Sequence, residues 1–156
     1  MKGEGVVTDM ETKFSMKFDS IPGCEGFARV TAAAFVARLN PTVEELEEFK
    51  TAVSEAVTNC MIHAYDGREG PVVMEVSLRG RTVTVSIRDE GRGIEDIHTA
   101  MQACYTTKPE LERSGMGFTF MQLFMDGVSV KSSQADGTEV IMTRRFADAK
   151  GPILPH

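Results

Sequence analysis

The sequence predicts an α+β domain in which helices cover one face of a mixed, mostly antiparallel sheet. Apolar residues recur at helical spacing in two long segments of the first half of the chain, and they alternate at strand spacing in five shorter segments. In a βαβ protein helices and strands alternate along the chain, and the helical and strand patterns here do not. Segregated helices and strands of this kind are typical of a two-layer α/β sandwich.

Length and composition predict one globular domain. The chain has 156 residues, of which 42% are hydrophobic and 26% charged, a balance typical of globular proteins rather than disordered or fibrous ones. We therefore expect a single domain over residues 1–156. Residues 147–156, which contain two prolines, are expected to form a flexible tail.

Charge and cysteine content argue against several classes of protein. A formal charge of -6 disfavours sequence-independent binding to nucleic acid, which needs clustered Lys and Arg. The three cysteines are widely spaced and odd in number, unlike a secreted disulfide framework. No segment approaches the roughly 20 apolar residues that cross a bilayer. We expect a cytoplasmic protein with neither a membrane nor a nucleic acid as its partner.

The first third of the chain predicts a strand and two helices. Residues 12–19 alternate in character, as a half-buried strand does, and residues 25–39 form a helical pattern that ends before a proline. Thr42 is followed three residues later by Glu45, the spacing of a capping box at a helix start. The second helix is expected to extend to about Ala64.

The rest of the chain predicts a hairpin, a connecting region and a second pair of strands. The connecting region includes a polar stretch without periodicity, which we expect to be mobile. In order, the expected elements are strands 72–78 and 82–87, a short helix 95–103, the polar stretch 105–115, a helix 117–125, and strands 128–132 and 138–146.

The second predicted helix carries a polar pair on a segment that is otherwise almost uncharged. Between Thr51 and Tyr65 the only formal charge is Glu55, and Asn59 lies one turn later on the same face. The pair is either an ordinary solvated one or part of a pocket wall. In a pocket, the amide oxygen is a suitable ligand for Mg²⁺ and the carboxylate can accept a proton.

A second polar signal follows the strand at 82–87. By strict alternation Asp89 continues the inward face of this strand, so a carboxylate is aimed at the core. It then needs a hydrogen-bond donor, for which the amino group of adenine is one candidate. The alternative is that the strand ends early and Asp89 caps a turn. Gly91 and Gly93 permit close backbone approach of a ligand.

The third signal is a pair of glycines before the helix predicted at 117–125. In the segment Ser114-Gly115-Met116-Gly117, glycines at a helix start leave N–H groups free to contact phosphate oxygens. Glycine is also common at helix starts simply because the turn before the helix favours it.

These segments occur together in a known order. The series Glu55 to Asn59, Asp89 to Gly93, Thr106 to Gly117 and Gly137-Thr138 resembles the nucleotide-binding boxes of the GHKL ATPases, whose domain is the Bergerat fold. Within that superfamily the chain is most similar to sporulation anti-sigma factors that are also serine kinases. The resemblance covers residues 14–146.

The resemblance implies a site for ATP or ADP with Mg²⁺. Asp89 would hold the adenine amino group with help from Thr138, and Asn59 would hold the metal. Glu55 would orient or deprotonate the serine that is phosphorylated. The remaining nucleotide-binding residues that the resemblance implies are Gly91, Gly93, Thr106, Thr107, Lys108, Arg113, Ser114, Gly115, Met116 and Gly117.

The resemblance also implies partners. They are a sigma factor, an anti-anti-sigma protein phosphorylated on serine, and a second copy of the chain in a homodimer, with Arg29 on the partner-binding surface. Two rival functions share the same boxes: the catalytic domain of a sensor histidine kinase, and a nucleotide-switched binding module without catalysis. The three histidines are given no role.

Overall fold

A computed structural model of the chain describes residues 10–66, 68–91, 112–133 and 137–148, with residues 112–117 described by their backbone alone. The helices and strands, in chain order, are β1 (Glu11–Asp19), α1 (Cys24–Val36), α2 (Val43–Asn59), β2 (Pro71–Arg79), β3 (Thr82–Asp89), α3 (Glu112–Phe124), β4 (Gly127–Ser133) and β5 (Gly137–Arg145). A 3-10 turn, Ala37–Leu39, follows α1, and a π-helical turn, Cys60–Ala64, follows α2.

The described strands form a five-stranded sheet in the order β1-β2-β3-β5-β4. Each pair of neighbouring strands is antiparallel. Met74 of β2 lies opposite Met16 of β1 and Ile87 of β3, and Ile87 lies opposite Val140 of β5. This register aligns the inward apolar residues across the sheet. The predicted fold class is confirmed.

Helix α2 is the centre of the helical layer and packs against both α1 and α3. It begins with the predicted capping box: the Glu45 N–H donates to Thr42 Oγ1 at 3.0 Å, and the Thr42 N–H donates to Glu45 Oε1 at 2.9 Å. Phe49 on its inner face is fully buried and meets the ring of Phe146 edge-on, with centroids 5.7 Å apart.

The predicted start of the last helix was wrong. Helix α3 begins at Glu112 rather than at Gly117, so Gly115 and Gly117 lie in its first two turns. Each glycine weakens a helix by only about 1 kcal/mol relative to alanine. Burial of Phe118 and Met121 against the core holds the adjoining turns, so the helix can continue toward its N-terminus through the glycines.

One other boundary differs from the sequence prediction. The second helix is α-helical only to Asn59, and the residues expected to complete it form the π-helical turn. At the start of the predicted tail, the Ala147 N–H donates to Glu45 Oε2 at 3.0 Å and Arg81 Nε donates to the Ala147 carbonyl at 2.8 Å. The rest of the predicted tail, 149–156, lies outside the described residues, as do the predicted helix 95–103 and most of the polar stretch 105–115.

Among the described residues, no helix combines the length and the apolar character needed to cross a membrane.

Candidate nucleotide site

The last turn of α2 places a buried amide at one wall of a cleft. Asn59 is only 7% exposed, and neither its Oδ1 nor its Nδ2 has a hydrogen-bond partner among the described residues. A buried polar group without a partner is unfavourable by about 1–3 kcal/mol. The amide therefore indicates a position where a ligand, a metal ion or water supplies the missing contacts.

The π-helical turn widens the helix directly after Asn59. Turns of this kind are rare and often lie at functional sites. Here the turn directs Cys60, His63 and Ala64 toward the same cleft that Asn59 lines.

The end of β3 places a buried carboxylate on another wall. Asp89 is the last residue of the strand and is 3% exposed, which confirms its predicted inward direction and excludes an early strand end. Its Oδ1 accepts the N–H of Gly91 at 2.9 Å and the N–H of Thr138 at 3.1 Å. Cys60 lines the same cleft as this carboxylate.

The ionisation of this pair reflects its burial. Burial raises the pKa of Asp89, although the hydrogen bonds from the N–H groups of Gly91 and Thr138 oppose the rise. Burial, and then the neighbouring carboxylate, raise the pKa of the Cys60 thiol well above its ordinary value. The thiol is therefore protonated at neutral pH.

Two close backbone approaches fix the segment after β3. A Cβ added at Gly91 would collide with the carbonyl of Ala64, and one at Gly137, whose φ is +84°, would collide with the backbone of Asp89 and Glu90. Only glycine fits either position without displacement. The end of β3 is thereby held against both the π-helical turn and the start of β5.

The side chain of Tyr65 holds the same segment through two hydrogen bonds. Its hydroxyl donates to the Pro71 carbonyl at 2.6 Å and accepts the N–H of Glu90 at 2.7 Å. One side chain thus connects the end of the π-helical turn to the start of β2 and to the residue after Asp89.

These groups surround a cleft of about 350 Å³, part of which is open to solvent. Its mixture of apolar walls with a few polar groups is typical of small-molecule sites. The residues that line it are Ala56, Asn59, Cys60, His63, Ala64, Asp89, Phe118, Thr138 and Val140.

The structure brings together some of the predicted site residues. Asn59, Asp89 and Thr138 line the cleft, and Gly91 adjoins it through its hydrogen bond to Asp89. Thr138 is buried, and its hydroxyl lies 2.7 Å from the hydroxyl of Ser132.

Other predicted residues lie elsewhere or outside the described part. Glu55 is half-buried on α2, one turn before Asn59, and is not among the lining residues. Arg29 is on α1, where its Nη1 donates to Ser54 Oγ at 3.2 Å. Only the helical backbone is described for Arg113, Ser114, Gly115, Met116 and Gly117, and Gly93, Thr106, Thr107 and Lys108 lie outside the described residues.

Sequence reasoning missed several lining residues, among them Cys60, His63 and Phe118. The residues after Asn59 were expected to continue a regular helix to about Ala64. No residue pattern marks a π-helical turn, so its effect on their direction was not visible in the sequence.

Comparison with known proteins agrees with this geometry. Residues 25–144 match the family model of the histidine kinase-like ATPase domain. The chain is 52% identical over 136 residues to an anti-sigma F factor of Clostridium kluyveri, which covers 87% of this chain and 96% of that protein. It is 50% identical over 142 residues to an anti-sigma F factor of Bacillus subtilis, which covers 90% of this chain and 97% of that protein.

A solved structure shares the fold. The structure of the RsbU and RsbW domains of a Mycobacterium tuberculosis protein superposes with a TM-score of 0.62 at 17% identity. The match covers 86% of this chain and 32% of that longer one. The chain therefore belongs to the anti-sigma F factor family and is built on a histidine kinase-like ATPase domain.

Proposed function

We propose that this chain is an anti-sigma factor that holds a sporulation sigma factor and, as an ATP-dependent serine kinase, phosphorylates an anti-anti-sigma partner. The observation that carries the proposal is the buried amide of Asn59, which has no partner among the described residues, in one cleft with the buried carboxylate of Asp89. The relatives are named anti-sigma F factors, so sigma F is the proposed target. We propose that the chain acts as a homodimer.

Asp89 and Thr138 form the base-binding end of the proposed site. The carboxylate accepts a hydrogen bond from the exocyclic amino group of adenine, and the backbone donors on Oδ1 hold it in place. Guanine has a carbonyl at that position, which an ionised carboxylate repels. The proposed nucleotide is therefore ATP or ADP.

Asn59 fits a magnesium ion at the phosphate end. Its amide oxygen is a hard, neutral donor whose partners are missing among the described residues. Bound there, Mg²⁺ would neutralise charge on the phosphate oxygens.

The start of α3 supplies further phosphate contacts in this proposal. The first N–H groups of a helix have no partner within it, and in α3 they include those of Arg113 and Ser114. Gly115 and Gly117, in the first two turns of the helix, let a ligand approach the backbone. Lys108 and Arg113 supply positive charge to the phosphates.

Glu55 is the proposed catalytic residue. It lies on the same face of α2 as Asn59, one turn earlier, so it is close to where the γ-phosphate of a bound ATP would be. Its carboxylate takes the proton of the partner's serine hydroxyl as the serine oxygen bonds to the γ-phosphorus. The bond from that phosphorus to the bridging oxygen breaks, and ADP leaves with the electron pair.

Arg29 is the proposed partner contact on α1. The same helix exposes the apolar side chains of Phe27 (62%) and Val30 (58%). Arginine and aromatic residues are enriched among the side chains that dominate binding energy at interfaces.

Asn59→Ala tests the metal contact. Removing the amide oxygen should weaken ATP binding far more than adenosine binding, because adenosine has no phosphates for a magnesium ion to bridge. Calorimetry with both ligands, with and without Mg²⁺, makes the comparison. Equal losses for ATP and adenosine would contradict the metal role.

Asp89→Asn tests the base contact. Replacing the ionised acceptor should weaken ATP binding by roughly 1.5–3 kcal/mol, the contribution of a charge-assisted hydrogen bond. Calorimetry measures the loss, and wild-type affinity in the variant would refute the adenine contact.

The stability of the Asp89→Asn variant relative to wild type is expected to depend on pH in the absence of nucleotide. Because burial raises the pKa of Asp89 above its unfolded value of about 3.9, its contribution to stability falls as the pH rises through the folded pKa. Asparagine does not titrate. The unfolding free energy of the variant relative to wild type should therefore increase between about pH 4 and pH 7. Urea unfolding at a series of pH values measures it. A decrease over this range would contradict a raised pKa of Asp89 in the folded state.

Glu55→Gln tests the kinase. Transfer of labelled phosphate to the anti-anti-sigma partner should fall by at least ~10²-fold, with ATP binding nearly intact. The wild-type product should be acid-stable phosphoserine. Acid-labile phosphate would instead indicate a histidine kinase, and unchanged turnover in the variant would remove Glu55 from catalysis.

Arg29→Ala tests the partner surface. Binding to sigma F in the presence of ATP should weaken by about tenfold or more, as it does when a dominant interface residue is removed. Arg38→Ala is the matched control, because Arg38 follows on the same helical segment but stacks on the Phe35 ring at 4.7 Å. Equal affinities for the two variants would place the contact elsewhere.

A further inference from the structure

The hydroxyl of Tyr65 lies at the point where the pairing of β2 with β3 stops. The last paired residues are Val72 and Asp89, so Pro71 and Glu90 would be the next pair in this register. The hydroxyl lies between those two residues: it accepts the Glu90 N–H at 2.7 Å and donates to the Pro71 carbonyl at 2.6 Å. Because proline has no N–H, a side chain completes the hydrogen bonding at this end of β3 in place of the ladder.

The ring of Tyr65 is itself held in place by the backbone. A Cβ added at Gly70 would collide with the ring, so the chain at Gly70 lies directly against it. Gly70 is paired with Ser20, the residue after β1: the Gly70 N–H donates to Ser20 Oγ at 3.0 Å, and the Ser20 N–H donates to the Gly70 carbonyl at 2.9 Å. Ser20 is buried. The hydroxyl is therefore presented from a ring whose position the end of β1 helps to fix.

The backbone that Tyr65 holds carries a donor to Asp89. Glu90 joins Asp89 to Gly91, whose N–H donates to Asp89 Oδ1 at 2.9 Å. The carboxylate can accept this N–H only while the peptide between Asp89 and Glu90 keeps its orientation, and the Tyr65 hydroxyl binds the N–H of that peptide. Tyr65 is not among the residues that line the cleft. It therefore acts on Asp89 through the backbone and not through the ligand.

Loss of this contact should loosen the acceptor. Without the hydroxyl, the Glu90 N–H and the Pro71 carbonyl lose the partner they share, and the Gly91 N–H is less firmly directed at Asp89. A ligand that binds a mobile acceptor must also order it, which lowers the affinity. The cost falls on the ligand group that Asp89 contacts.

We infer that Tyr65 is a positioning residue for base recognition, whose hydroxyl bridges Glu90 and Pro71 and thereby fixes Asp89 as the acceptor for the amino group of adenine. This inference rests on the proposed adenine contact. It concerns the selection of the nucleotide and not the transfer of phosphate.

Two ligands and two variants test it in the full chain. The ligands are ATP and purine riboside triphosphate, which is ATP without the amino group, each with Mg²⁺. Tyr65→Phe removes the hydroxyl and keeps the ring, and Tyr65→Leu is a second hydroxyl-free variant for use if Tyr65→Phe does not fold. Ser20→Ala is the matched control, because it removes a hydroxyl that holds Gly70 and leaves the Tyr65 hydroxyl in place. Calorimetry measures the affinities, and thermal unfolding monitors the stability of each variant.

The expected result is a loss of ATP affinity of about threefold to tenfold in the hydroxyl-free variant, the usual effect of one hydrogen bond. The affinity for purine riboside triphosphate should change little, because that ligand has no amino group for Asp89 to accept. Ser20→Ala should lower the unfolding temperature and keep the wild-type preference for ATP.

The results that overturn the inference differ from those that overturn the proposed site. Unchanged ATP affinity in the hydroxyl-free variant, equal losses for the two ligands, or the same loss of preference in Ser20→Ala overturns the inference alone. Equal affinities of the wild-type chain for the two ligands overturn the proposed adenine contact and this inference with it. Absence of ATP binding by the wild-type chain overturns the proposed nucleotide site as a whole.

Discussion

The hydrogen bonds that converge on Asp89 are the interaction on which the rest of the site depends. A carboxylate buried at the end of β3 is unfavourable unless donors surround it, and the chain supplies them from the N–H groups of Gly91 and Thr138. Those donors belong to the segment after β3 and to β5. Satisfying one charge therefore joins the end of β3 to the start of β5 at the edge of the cleft.

Burial of α2 gives the site its rigidity. The helix is enclosed by α1 on one side and α3 on the other, with the sheet beneath it, so Ala52 and Ala56 are as fully buried as Phe49. Small residues on the face that carries Asn59 leave room for the cleft. The position of the amide is thus set by the core and does not depend on a loop.

The same helix connects the cleft to the surface of α1. Arg29 donates to Ser54, which directly precedes Glu55 on α2. The proposed partner contact and the proposed catalytic carboxylate therefore lie on adjoining, packed helices. A change at one of these positions has a short physical route to the other, through side chains that already touch.

The sequence by itself determined the five strands, the two-layer class, the capping box at Thr42 and the inward direction of Asp89, because periodicity and capping are local properties of the chain. Tertiary packing decided the rest. It placed the start of α3 at Glu112, because burial of that helix outweighs the weak helix propensity of two glycines. It also decided the π-helical turn, because that turn depends on contacts between residues far apart in the chain, which local patterns do not encode.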